Sequence, residues 1–387
     1  MASDWKSGLQ RWVAAGLIPA DSAAAIERWE AERPRSRLNA PITICLALGA
    51  VLLAAGVLLF VAAHWDTLSP GWRFALVLSL LASLHGLAAA SAPAFPGLAM
   101  ALHAVGSIAL GAGIFLVGQI VHLEAHWPGG LLLWAIGAGL GWWLLRQWPQ
   151  LTLLALLTPA WLVSEWLWLC ERWLPEGLRR HWQIGGVACA GVLLLAVVFL
   201  GAARGSPTDT PHRVLAWLGG LALIPAAFAW LLLLQLRPLN QPWAVSAAGQ
   251  PTVLLLGGWV VALGGPLLLG WWLRGRQLWP LAVAAGWILA SQALEQPLNP
   301  WSYAWRVLGG VLLLAWGVRE NRSERINLGT ALVALTVLAF YFAEVMGQLE
   351  RSLSLILLGV VCLGGGWALE WLRRRLLARL QSPEPLR

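Results

Sequence analysis

From about residue 41 onward the chain is a succession of long apolar runs, broken by Gly, Pro and charge. Each run is close to the ~20 residues that a helix needs to cross a bilayer. The pattern predicts helices near 42–63, 72–91, 97–120, 129–146, 150–170, 183–203, 213–236, 251–273, 278–294, 302–319, 326–344 and 353–372. The ninth and tenth are short, so the expected count is ten to twelve, nearest twelve. The fold class expected is an all-α polytopic transmembrane bundle.

Residues ahead of these runs follow another rule. Trp5, Leu9, Trp12 and Val13 recur at helical spacing, Gly16 to Pro19 make a turn, and Ala23, Ile26 and Trp29 continue a second helix. Asp21 or Ser22 suits its N-cap. Three parts follow: an amphipathic helical hairpin and basic linker over 1–40, a membrane bundle over 41–372 and a basic tail over 373–387.

Composition sharpens this. Of 387 residues 59% are hydrophobic and only 11% charged, against about 25% in soluble proteins. The first 40 residues hold eleven charged side chains and no apolar core, so the first run is expected to insert without a cleaved signal. The net charge of +8 lies in short loops, with no basic domain to bind nucleic acid. With twelve helices and a cytoplasmic N-terminus, nineteen Lys/Arg fall inside and seven outside. That asymmetry predicts an inner-membrane protein with both termini cytoplasmic. Its weakest point is loop 171–182, where Arg172, Arg179 and Arg180 fall outside. The bilayer is the expected partner, and the 1–40 module could take a cytoplasmic protein. The 28 tryptophans mostly flank run ends, as an interfacial belt does.

Small residues at four-residue spacing, such as Gly137 and Gly141, permit close helix packing. A faint repeat also runs through the chain. Gln119, a Gly-rich helix ending at Arg146 and Glu165 find counterparts in Gln292, a Gly-rich helix ending at Arg319 and Glu344. This would give a transporter-like parallel repeat.

Candidate chemistry gathers on the expected outer side. One turn carries His64 and Asp66, and the next carries Gln119, His122, Glu124 and His126. Imidazole with carboxylate can relay protons or hold a metal, while outer turns also collect polar residues because water is there. Glu165 lies one to two turns inside its run, where a carboxylate costs about 2.5–3.5 kcal/mol near the bilayer centre and less near an interface. The candidate substrate or proton path is therefore Asp66, Gln119, His122, Glu124, His126, Glu165 and Glu344. No metal site or cofactor is expected. Cys45, Cys170, Cys189 and Cys362 show no C-x-x-C spacing, and no nucleophile elbow, P-loop or dinucleotide fingerprint appears.

Trp12 to Ile18, Gly56 to Asp66 and Gly118 to Leu123 resemble the bacterial membrane proteins grouped as domain of unknown function 2157, a likeness covering roughly 5–150. Arg325 to Gly329 and Trp367 to Arg375 look like the ends of longer members. The family pattern often has Asn where His64 stands, which speaks against a metal there. The resemblance implies a bacterial multi-pass membrane protein and brings no activity. Three functions stay open: a non-enzymatic transporter-like or envelope-associated protein with a polar site near the outer face, a scaffold or sensor acting through the N-terminal module, and an enzyme acting on a lipid-linked substrate.

Overall fold

A computed structural model describes residues 4–32, 48, 52, 59, 69–120, 126–176, 182–202, 210–235, 250–275, 277–292, 300–348 and 351–381. Among these every regular element is helical. The run expected at 42–63 lies outside the described residues, apart from three isolated helical positions. Two compact units result, residues 1–73 and 74–387.

In the first unit α1 (Asp4–Ala14) and α2 (Ala20–Glu32) form the expected hairpin. Gly16 makes the turn at φ +71°, a left-handed conformation in which any Cβ is strained. Leu9 is buried, whereas Trp12 and Leu17 are exposed.

The second unit is an antiparallel succession of apolar helices. They are α3 (Pro70–Ser91), α4 (Pro96–Ile120), α5 (Pro128–Leu145), α6 (Trp148–Trp173), α7 (Trp182–Ala202), α8 (Thr210–Gln235), α9 (Gln250–Arg274), α10 (Trp279–Gln292), α11 (Pro300–Arg319) and α12 (Ser323–Phe340). A π-turn at Tyr341–Val345 extends α12. Then α13 (Arg351–Val360), a second π-turn and α14 (Gly366–Gln381) make one continuous run. Proline opens several of these helices, since its missing N–H is an orphan in the first turn anyway. Pro159, Pro225 and Pro266 instead lie inside helices, which membrane helices tolerate when neighbours compensate.

Nine helices among the described residues are long and apolar enough to cross a membrane. This is a membrane protein. Three of the twelve expected spans are not among the nine, and the first of them, 42–63, lies outside the described residues. Helix α10 is short, and α11 carries Arg306 within its length. The basic segment 373–375 continues α14 as far as Gln381.

Helix α7 is the centre of the second unit. Its apolar span is 61% buried, against 6% for α3. It is apolar all round, as a helix surrounded by others must be. Leu194, Leu200, Trp230 and Ile288 are fully buried in its core. The Trp230 indole donates to Ser291 Oγ at 2.9 Å, so no polar atom is stranded there.

The C-terminal ends of α7, α9 and α11 meet the start of α12. Arg274 donates to Glu320 Oε1 at 2.6 Å and to the Gly201 carbonyl at 3.1 Å. Arg325 donates to Glu320 Oε2 at 2.5 Å and to the Leu200 carbonyl at 3.3 Å. The Trp316 indole donates to Glu320 at 2.8 Å, and Arg325 lies 3.9 Å above its ring. Two buried guanidinium groups are thus balanced by one carboxylate and by the negative end of the α7 dipole.

Candidate functional site

The expected outer site comes together in part. The His126 ring nitrogen Nε2 lies 2.9 Å from Glu165 Oε1, joining the start of α5 to the far part of α6. Trp168, one turn beyond, meets the His126 ring edge-on at 4.5 Å. His64, Asp66, His122 and Glu124 lie outside the described residues. Gln119 is the penultimate residue of α4, and its side chain also lies outside them. Among the described residues no three His, Cys, Asp or Glu side chains gather as a metal would need.

Glu344 is far along the chain from this pair but has a matching role. The Tyr303 hydroxyl, at the start of α11, donates to Glu344 Oε1 at 3.2 Å. Arg306 stacks on the same Tyr303 ring at 4.7 Å. The hairpins α5–α6 and α11–α12 therefore share a plan. In each, a side chain near the first helix's start holds a carboxylate near the second helix's end. Each hairpin also turns through one left-handed non-glycine residue, Arg146 at φ 54° and Asn321 at φ 53°.

A second polar group lies where the sequence reading named nothing. His85 of α3 and His103 of α4 face each other with Nδ1 to Nδ1 at 2.9 Å. His103 is buried. Ser107, one turn further on, donates its hydroxyl to Gln150 Oε1 at 2.8 Å, and Gln150 Nε2 donates to the His103 carbonyl at 3.2 Å. The Trp134 indole completes the set by donating to the Ser107 carbonyl at 2.8 Å. Buried polar groups persist in an apolar environment only when satisfied in this way.

The local sequence explains the placement. Gly141 has the four-residue spacing of a helix-packing residue, but here it and Gly106 cradle polar side chains. A Cβ at Gly106 would meet His85 Nε2 at 2.8 Å, and one at Gly141 would meet Gln150 Oε1 at 2.9 Å. His103 lies seven residues inside α4, so it is ~10 Å from that helix's start. That places it well inside a helix long and apolar enough to cross a membrane. The available signal was a lone His in each of two apolar runs.

Proton arithmetic limits what the pair can do. Two neutral imidazoles share this bond when one ring donates from Nδ1–H and the other accepts at Nδ1. One added proton can occupy the donor ring's Nε2 without breaking the bond. A second would place protons on both facing nitrogens and separate the rings.

The two polar stations lie towards opposite ends of α6. Gln150 and Glu165 are fifteen residues apart, or ~22 Å along the axis. Between them the Thr158 hydroxyl donates to the Leu154 carbonyl at 2.8 Å. Pro159 removes the N–H that would otherwise bond the Ala155 carbonyl. The buried Trp161 indole N–H has no partner among the described residues.

Residues 10–151 match the model of a family described as "Predicted membrane protein (DUF2157)". The matched segment runs from within α1 to the start of α6 and holds the whole His85–His103–Ser107–Gln150 group. No curated protein and no solved structure matches the chain.

Proposed function

We propose that this is a non-enzymatic, transporter-like membrane protein that passes protons along the α3–α6 helices. The observation that carries the reading is the hydrogen-bonded His85–His103 pair at membrane depth. Ionisable side chains inside a bilayer are costly and mark ion or proton routes. The His126–Glu165 pair gives the route an outer station, and imidazole can both accept and release a proton near neutral pH. Thr158, the Ala155 carbonyl and the Trp161 indole supply polar atoms between the stations. The paired hairpins, each with its tethered carboxylate, favour a transporter-like arrangement.

Proton flux into liposomes loaded with a pH-sensitive dye tests the reading. The native chain is expected to collapse an imposed pH gradient. His103→Phe and Glu165→Gln should each slow that collapse at least ~10-fold, the size of a lost proton-transfer group. A native rate equal to that of empty liposomes, or variants as fast as the native chain, would overturn it.

A further inference from the structure

One cavity is lined by no residue of either polar station. It opens between α7, α8, α10, α11 and α12, and has a volume of about 90 Å³. A water molecule needs roughly 10–15 Å³ of such space, so several would fit by volume. The lining offers them almost nothing to bond, because Leu, Val, Ala and Trp side chains supply nearly all of it. In a membrane such a space fills with hydrocarbon. It follows one stripe of α10 from Trp279 to Trp287, ~12 Å along the axis. Gly309, on the facing stripe of α11, keeps that part of the wall low.

A charge lies beside the Trp279 end of this cleft. Arg319, the last residue of α11, is exposed, and its guanidinium lies 4.8 Å from the centre of the Trp279 ring. Its neighbour Glu320 is engaged by Arg274 and Arg325. Arg319 makes no ion pair among the described residues. A cation held by an aromatic ring therefore stands uncompensated beside an apolar cleft.

We propose that this cleft binds an anionic membrane phospholipid, with one acyl chain between α10 and α11 and the phosphate on Arg319. Charge complementarity selects the headgroup, because a guanidinium presents several N–H donors to phosphate oxygens. Trp279 fixes the guanidinium in place, and the clamp on Glu320 keeps that carboxylate from neutralising it. The site involves none of the α3–α6 polar residues, so it stands whether or not protons pass there.

Native mass spectrometry of the full chain in neutral detergent, with phosphatidylglycerol or phosphatidylcholine added, tests this. The native chain is expected to bind phosphatidylglycerol ~5-fold more tightly, the equivalent of about 1 kcal/mol for one cation at the surface. Arg319→Gln should bring that ratio to near one. Arg375→Gln, which removes an exposed cation stacked on Trp371, should leave it unchanged. Equal binding of the two lipids by the native chain would overturn the proposal. So would a ratio that survives Arg319→Gln, or one that Arg375→Gln lowers equally.

Discussion

Glu320→Gln is expected to lower the unfolding free energy by about 3 kcal/mol, as removal of one partner from a buried ion pair does. The substitution keeps the side-chain shape and removes the charge. It leaves Arg274 and Arg325, with side chains 1% and 0% exposed, facing each other with no carboxylate between them. Arg274→Gln should cost less, because Glu320 keeps Arg325. Burial pushes the Glu320 carboxyl up, and hydrogen bonds from Arg325, Trp316 and Arg274 outweigh it, bringing it to about 2 from the ordinary 4.5. A depressed carboxyl stabilises the fold only while ionised. Its contribution is complete above about pH 4.5 and is lost as pH falls towards 2. Melting curves in detergent across that range should converge for the native chain and Glu320→Gln as the pH drops. Equal melting temperatures at pH 7 would show that the clamp does not hold the helix ends together.

The second large effect comes from Gly219, where α8 crosses α7. A Cβ there would overlap the backbone of Ala196, Phe199 and Leu200. Backbone atoms cannot swing aside as a side-chain tip can, so the helices must separate. Overpacking typically costs about 1–3 kcal/mol. Gly219→Ala should reach the upper end, since α7 is the most enclosed span in the unit. Gly257→Ala is the control, because nothing lies within 4 Å of its Cβ position. That change should be neutral or gain up to about 1 kcal/mol from helix propensity. Thermal unfolding of both variants reads the contrast, and a Gly219→Ala chain as stable as Gly257→Ala would refute the close crossing.

The sequence shows helices well and polar partners poorly, for a physical reason. A run of ~20 apolar residues is a local signal, and α3 to α9 lie within a few residues of their expected bounds. Pro70, Pro96 and Pro128 mark three of their starts, where a missing N–H does no harm. A buried hydrogen bond is not local. His85 and His103 are eighteen residues apart, and His103 and Gln150 forty-seven. Only the crossing of α3, α4 and α6 makes them neighbours. His126 and Glu165 stood out because a carboxylate inside an apolar run demands a partner, although which partner was not legible. Gly141 looked like a packing residue because spacing reports that room is left, not what fills it. Glu320 drew no notice for the same reason: among the basic residues of loop 319–325 it looks like a solvated acid.

The account turns on the shared bond between His85 and His103. Nitrogen-15 NMR of histidine-labelled protein in lipid nanodiscs, titrated from pH 9 to pH 4 with His85→Asn and His103→Asn for assignment, tests it most directly. The account predicts complementary neutral tautomers at high pH, one Nδ1–H and one Nε2–H, and uptake of one proton by the pair as the pH falls. Two independent rings, each taking up its own proton near the ordinary histidine value of about 6.5, would contradict it.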